Sequence, residues 1–217
     1  MLAPVAADYD SHGFQLGQHR LPSDKRHPYE HDIRIPFVLR GPGVPKGVTL
    51  NHIVLSIDVA PTFVDLMSGA IPNDMDGTSI KPLLAAFNAG DDAESKALKA
   101  KVEAGWRTDF MVDYHGQGTQ PCGLVQCPAP AANHWHLIDG YNNTFQCVRT
   151  LDPAHKIDST YCQFKDDEHF VEYYDHVTDP WQLKNLAYEK PDLPALKALG
   201  TRLNELRGCV GAACRPL

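Results

Sequence analysis

The chain has 217 residues, of which 43% are hydrophobic, and its 20 Lys and Arg against 27 Asp and Glu give a formal net charge of −7. That composition excludes wholesale disorder, and the length allows one domain, or a domain and part of a second. The acidic balance argues against nucleic acid as a partner, and no run of about 20 apolar residues is present to span a membrane.

The first part of the chain has the pattern of α/β material. Residues 1–7 lack the basic and apolar regions of a signal peptide, so we expect a preceding part of the protein to be missing. Residues 33–40 predict a buried strand closed by a Gly-Pro-Gly turn, and residues 51–57 form a second short apolar run. Asp58 is then predicted to cap a helix over residues 59–67. That helix is expected to pack on a sheet through Val59, Phe63, Leu66 and Met67.

A charged helix, a strand and an irregular loop follow. Residues 77–90 are predicted to form a loop with a short turn of helix. Asp92 is predicted to cap a helix over residues 93–104, whose alternating charges indicate a solvated face. A strand is predicted at residues 110–114. The Gly-, Pro- and Cys-rich residues 115–144 then predict a long surface loop.

The tail of the chain predicts antiparallel β structure and a covering helix. Strands are expected at residues 145–150, 159–165 and 170–176, separated by turn residues as in a meander. Residues 191–206 predict an amphipathic helix whose apolar stripe consists of Leu196, Leu199, Leu203 and Leu206. This helix is expected to cover one face of the small sheet.

All cysteines lie in the second half of the chain: Cys122, Cys127, Cys147, Cys162, Cys209 and Cys214. None belongs to a C-x-x-C pair with zinc-ligand spacing. Their even number, beside the acceptor sequence Asn142-Asn143-Thr144, predicts disulfides, a glycan on Asn142 and passage through the secretory pathway. The alternative is free buried thiols and an unused acceptor.

The positions of the cysteines suggest three bridges. Cys147 and Cys162 fall in neighbouring predicted strands, and closing a loop of about 15 residues stabilises such a hairpin by about 3 kcal/mol. Two further pairs are spaced for small rings, namely Cys122 with Cys127 and Cys209 with Cys214.

The candidate chemistry lies in residues 10–26. Asp10, His12 and Lys25 place carboxylate, imidazole and ammonium groups in a polar, Gly-containing stretch. Carboxylate oxygens suit a hard divalent cation, and a lysine ammonium offers a point charge for a tetrahedral anion. Two such sites side by side would hold a sulfate or phosphate ester. By spacing alone, however, an Asp-x-His-Gly string is more often a loop turn.

Residues 13–19 and 29–43, with Lys25 between them, resemble the middle of a type I sulfatase of the N-acetylglucosamine-6-sulfatase branch. The resemblance extends over nearly the whole chain and includes residues 140–150 and 179–187. It implies an enzyme that hydrolyses 6-O-sulfate esters of N-acetylglucosamine in heparan or keratan sulfate. It also implies a lysosomal or secreted location, a calcium ion, and a formylglycine made from cysteine.

The fold implied by the resemblance is α/β, the C-terminal part of an alkaline-phosphatase-like sulfatase. Residues 1–114 are expected to belong to the α/β catalytic domain and residues 115–144 to the Gly/Pro/Cys-rich loop. Residues 145–217 are expected to form a C-terminal subdomain with a smaller antiparallel sheet and a C-terminal helix.

The family pattern also assigns site residues. Lys25 takes the position of the lysine that contacts sulfate, and His12 that of a metal ligand. The aspartate expected beside it falls on Ser11, whereas Asp10 stands one residue early, and a slip of one residue turns a strand side chain to the other face. Residues 1–9 also lack the apolar strand that precedes this pair. We therefore expect either an altered metal site or a damaged start.

No cysteine stands in the C-x-P-S-R motif that gives formylglycine, so the chain alone is expected to be inactive without the missing N-terminal half of the protein. One alternative is a non-catalytic, truncated sulfatase-like module that binds sulfated glycans. It is favoured if Met1 is a true start. A second alternative is a phosphoester hydrolase of the same superfold with a metal-assisted mechanism, against which the lysine loop argues.

Overall fold

The structure is a computed structural model that describes residues 5–10, 12–21, 25–116 and 143–215. Contacts divide the chain into two compact units. The first contains residues 1–11, 36–109 and 206–217, and the second contains residues 12–35 and 110–205. The two units therefore interleave along the sequence. The predicted domain boundaries after residues 114 and 144 stay a prediction.

The first unit contains a two-stranded antiparallel sheet. β1 (Ala6–Tyr9) pairs with β2 (Phe37–Arg40), with Ala6 opposite Arg40 and Tyr9 opposite Phe37. The expectation that residues 1–9 supply no strand is thus corrected. β1 is held by backbone pairing, although its sequence is not strongly apolar. The strand predicted at residues 33–40 begins only at Phe37, because the preceding residues form a single helical turn, α1 (Glu30–Ile33).

Three helices follow in the first unit. They are α2 (Val59–Ser68), α3 (Lys81–Asn88) and α4 (Ala93–Gly105). α2 ends at Gly69, whose left-handed conformation (φ 76°) forms the C-cap, and Asp92 caps α4 by accepting a hydrogen bond from the Ser95 amide. Both predicted helices are confirmed. Residues 51–57 form no strand, and α3 is longer than the predicted turn.

Asp58 occupies the predicted N-cap position of α2, but its side chain makes no capping hydrogen bond to that helix. Its carboxylate is buried and accepts hydrogen bonds from the backbone amides of Leu55 and Thr78, each at 2.8 Å. It also forms a two-pronged ion pair with the guanidinium of Arg107, at 2.6 and 3.0 Å. A carboxylate engaged by four donors in this way ties three separate stretches of the first unit together.

The buried face of α2 also differs from the predicted one. Met67 is exposed, whereas Pro61 and Thr62 are buried. The Thr62 hydroxyl accepts a hydrogen bond from the amide of Ile80 at 2.9 Å, so α2 packs on the start of α3. The core beside it is formed by Ile80, Leu83, Leu84 and Trp106.

The second unit is built around a four-stranded meander. Its strands, in both chain and spatial order, are β3 (Asp109–Tyr114), β4 (Phe145–Asp152), β5 (Ile157–Phe164) and β6 (Val171–Asp175). β4 and β5 pair antiparallel, as do β5 and β6. The predicted strands of the tail are confirmed.

Two of the three suggested disulfides are present. Cys147 and Cys162 are directly opposed on β4 and β5, are bonded to each other and lie fully buried beside Phe145. Cys209 and Cys214 form a small ring in the first unit. Cys122 and Cys127 lie outside the described residues.

Two further helices follow β6: α5 (Leu186–Glu189) and α6 (Pro194–Arg207). Leu203 of α6 is fully buried, and Gly200 approaches the sheet so closely that a Cβ there would lie 3.4 Å from the Tyr161 hydroxyl. The predicted C-terminal helix and its apolar stripe are confirmed.

Candidate active site

His12 and Lys25 lie together in the second unit. The Lys25 ammonium donates a hydrogen bond to His12 Nε2 at 2.8 Å. His12 Nδ1 lies 2.6 Å from the carbonyl oxygen of Gly13, and since a carbonyl only accepts, Nδ1 carries the proton. The imidazole is therefore neutral in this arrangement and does not cancel the positive charge of Lys25. An exposed lysine ammonium is suited to binding an anion.

His12 and Lys25 meet because the segments that carry them both lie beside residues 31–32. The amide of Gly13 donates to the carbonyl of Asp32 at 2.7 Å, and that of Phe14 donates to the carbonyl of His31 at 3.1 Å. A Cβ on Gly13 would lie 1.7 Å from the His31 oxygen. Only glycine allows this close approach, so Gly13 determines the position of His12.

The buried carboxylate of Asp32 joins the two arms of this loop. Its Oδ2 accepts hydrogen bonds from Gln15 Nε2 and from the His27 amide, both at 3.1 Å. Gln15 lies three residues after His12, and His27 two residues after Lys25. Asp32 therefore holds the segments that carry the two candidate residues at a fixed separation.

An ion pair anchors the loop to the small sheet. Arg149 on β4 donates through Nε to Glu30 at 2.7 Å and forms a second ion pair, through Nη2, with Asp158 on β5 at 2.6 Å. Burial alone would raise the pKa of Glu30, but hydrogen bonding to Arg149 and its charge outweigh burial and lower the pKa. The Glu30 amide also donates to the side chain of Gln182 at 2.8 Å.

A second contact, between Tyr29 and Glu172, also anchors the loop to the small sheet, and its tyrosine partner is uncharged. The Tyr29 hydroxyl donates to Glu172 on β6 at 3.2 Å, and the rings of Tyr29 and Tyr174 meet edge to face at 6.2 Å. Burial raises the pKa of Glu172 to about 6, and burial likewise raises the pKa of both tyrosines. Glu172 is therefore a buried carboxyl group that takes up a proton in the mildly acidic range.

We expect this carboxyl to make the fold more stable in acid. Because the folded-state pKa of about 6 exceeds the ordinary value of 4.5, its contribution is fully present below pH 4.5 and is lost as the pH rises through 6. The difference amounts to about 2 kcal/mol. Glu172→Gln is expected to remove this step from the free energy of unfolding, measured by urea denaturation between pH 4.5 and 7.5.

The matched control is Glu168→Gln, which changes an exposed carboxylate in the β5–β6 connection. Its pH profile should superpose on that of the unchanged chain. If Glu172→Gln kept the full acid stabilisation, the burial of Glu172 would not be its source.

The remaining predicted site residues are Asp10 and Asn142, with Ser11 at the position where an aspartate was expected. Asp10 lies in the first unit, exposed directly after β1, and its amide donates to the carbonyl of Pro36 at 3.3 Å. Ser11 and Asn142 lie outside the described residues. The structure thus brings together two of the predicted residues, His12 and Lys25.

The described residues do not fit a calcium site by themselves. Calcium takes several oxygen ligands, and no group of three or more His, Cys, Asp or Glu side chains that could hold a metal occurs in the described ranges. Both ring nitrogens of His12 are engaged, one by Gly13 and one by Lys25.

Sequence reasoning missed the residues that anchor the loop. Arg149 is separated from Glu30 by 119 positions and Tyr29 from Glu172 by 143. No local spacing rule connects positions so far apart. The only available signal was a charged residue, Arg149, within a strand that also contains a buried cysteine.

Within the part of the chain that the structure describes, no helix combines the length and apolar character needed to cross a membrane.

Residues 17–152 match the family described as N-sulphoglucosamine sulphohydrolase, C-terminal. Over 213 residues the chain is 36% identical to an N-acetylglucosamine-6-sulfatase of Bos taurus, an alignment covering 94% of this chain and 34% of that protein. The chain thus spans about a third of the length of the curated relatives it matches.

Two solved structures have the same fold. One, a complex with its substrate D-glucosamine-2-N,6-O-disulfate, has a TM-score of 0.65 and 25% identity and covers 94% of this chain and 34% of that chain. The other, a phosphonate monoester hydrolase from Silicibacter pomeroyi, has a TM-score of 0.65 and 20% identity and covers 96% of this chain and 36% of that chain. The second likeness shows the fold alone. The predicted α/β fold class is confirmed.

Proposed function

Because the chain belongs to the sulfatase family, we propose that the whole protein hydrolyses 6-O-sulfate esters of N-acetylglucosamine in glycosaminoglycans. Within that family, the chain matches the segment described as N-sulphoglucosamine sulphohydrolase, C-terminal. The observation that carries the proposal is the likeness to N-acetylglucosamine-6-sulfatases over almost the full chain. Heparan and keratan sulfate are the substrates we propose. The disulfides on β4–β5 and near the C-terminus support a location in the secretory pathway, in the lysosome or outside the cell.

Within this proposal the chain supplies the anion-binding part of the site. The Lys25 ammonium binds the ester oxygen that joins sulfur to the sugar and stabilises the negative charge that grows on that oxygen as the nucleophile bonds to sulfur and the S–O bond breaks. His12 holds the ammonium in place as a neutral acceptor. The nucleophile, a formylglycine, is proposed to belong to a part of the protein outside these 217 residues, since no C-x-P-S-R motif occurs in them. The ligands of a calcium ion are proposed to lie there too, because the described residues of this chain do not form such a site.

A second candidate function is supported by that same missing motif. A sulfatase-like module with Lys25 but no nucleophile would bind sulfated glycans without cleaving them. Such a module is expected to retain sulfate affinity and to release no sulfate from any ester.

The test is a screen of the full-length protein on matched sugars. N-acetylglucosamine-6-sulfate is compared with N-acetylgalactosamine-4-sulfate, N-sulfoglucosamine and N-acetylglucosamine-6-phosphate, by release of inorganic sulfate or phosphate. We expect release from the first sugar only, together with a peptide in which cysteine is converted to formylglycine. Cleavage of a different sulfate ester would overturn the substrate and keep the family, and cleavage of the phosphate would favour a phosphoester hydrolase. Heparan sulfate binding without any cleavage would favour the non-catalytic module.

A further inference from the structure

We propose that Asn143 is a positioning residue for Lys25, because its side-chain amide holds the backbone carbonyl of Arg26, the residue after Lys25. Asn143 Nδ2 donates to the carbonyl oxygen of Arg26 at 2.7 Å. Asn143 does not itself contact the reacting atoms in this proposal. The inference rests on the proposed function, in which Lys25 binds the sulfate group.

The donor is carried by a rigid part of the second unit. Asn143 is half-buried and lies two residues before β4. Its neighbour Thr144 is fixed on both sides, since its hydroxyl accepts from the amide of Gly116 at 2.9 Å and its carbonyl accepts from the amide of Lys165 at 2.8 Å. A donor fixed in this way can impose a position on the segment it binds.

Lys25 is thereby constrained at both ends. Its backbone is held through the neighbouring Arg26 carbonyl by Asn143, and its ammonium is held by His12 at 2.8 Å. A lysine ammonium is joined to the main chain by a flexible four-carbon stem. Fixing only the ammonium would therefore leave the main chain free to shift. Displacement of a binding group by about 1 Å can lower a rate by as much as about 100-fold.

Asn143 can be substituted without the disturbance of the sheet that is expected when Arg149 or Glu172 is replaced. Arg149 and Glu172 are buried, and their replacement would alter the sheet itself. Asn143 is the middle residue of the acceptor sequence Asn142-Asn143-Thr144, where any residue except proline preserves the glycosylation signal. Its substitution by alanine or aspartate therefore keeps the acceptor sequence intact.

The experiment is a double-mutant cycle in the full-length protein. Asn143→Ala, Lys25→Ala and the double variant are compared by kcat/KM on N-acetylglucosamine-6-sulfate and by the Kd for inorganic sulfate. We expect Asn143→Ala to lower kcat/KM about 10- to 100-fold when Lys25 is present, mainly through kcat. In the Lys25→Ala background the same change should have less than about a twofold effect. Asn143→Asp keeps the shape without the donor and replaces Asn143→Ala if that variant does not fold.

The matched control is Asn185→Ala, which removes an amide that donates to the carbonyl of Val171 on β6 at 2.9 Å. It should lower thermal stability without coupling to Lys25. Equal losses from Asn143→Ala in both Lys25 backgrounds would show a purely structural role and overturn the inference. If Lys25→Ala changed neither kcat/KM nor the sulfate Kd, the proposed role of Lys25 would fail, and the role of Asn143 with it. The sulfate Kd decides the matter even if no ester is cleaved.

Discussion

Replacing Arg107 by methionine is expected to lower the free energy of unfolding by about 3–5 kcal/mol, the effect of removing one partner of a buried ion pair. The side chain of Arg107 is 8% exposed and that of Asp58 is 0% exposed. Methionine preserves much of the volume but leaves the Asp58 carboxylate with only the amides of Leu55 and Thr78 as partners. Urea denaturation at pH 7, with the slope monitored for two-state behaviour, measures the change.

An exposed ion pair in the same unit provides the control. Lys81 lies 2.9 Å from Asp65, and its side chain is 46% exposed. Lys81→Met should therefore lower the free energy of unfolding by no more than about 1 kcal/mol. Similar losses for the two substitutions would mean that burial does not determine the strength of the Arg107–Asp58 pair.

Lys25→Ala is expected to lower the kcat/KM of the full-length protein on a 6-sulfated substrate by about 100- to 1000-fold, the usual effect of removing one donor from a developing negative charge. Lys25 is exposed, so the free energy of unfolding should change by less than about 0.5 kcal/mol. Lys25→Arg should recover part of the activity, because the charge remains but the shape of the donor changes.

The control for Lys25 is Lys197→Ala, which removes an exposed lysine from α6 in the same unit. Steady-state kinetics and thermal unfolding are measured for all three variants. Full activity in Lys25→Ala would remove this residue from the proposed site, whereas an equal loss in Lys197→Ala would point to a general effect of net charge.

Local features of the fold could be predicted from the sequence. α4 was identified because Asp92 is a strong cap directly before a helical charge pattern. The bridge between Cys147 and Cys162 could be inferred because both residues lie in strands joined by a short turn. In each case the interacting groups are close in sequence, so propensity and spacing contain the necessary information.

Features that depend on distant partners could not be predicted. Asp58 has the sequence context of a helix cap, but Arg107, 49 positions away, engages its carboxylate in the buried ion pair. The predicted strand at residues 33–40 was shortened because α1 is held to β4 through Glu30 and Arg149. At the candidate site the resemblance predicted Lys25 and His12 as site residues. Only the structure showed that Asn143 and Asp32 hold their backbones.

The interleaved units have a consequence for the order in which the protein forms. The last residues of the chain belong to the first unit: the Gly211 amide donates to Asp76, the Ala212 amide to the Asn73 carbonyl at 2.9 Å, and Arg215 to the Met75 carbonyl at 3.1 Å. On the ribosome, the second unit is therefore completely synthesised before the first unit has received all of its parts. The segment that begins with β1 must wait until residues 206–215 have been synthesised before its own unit can be completed.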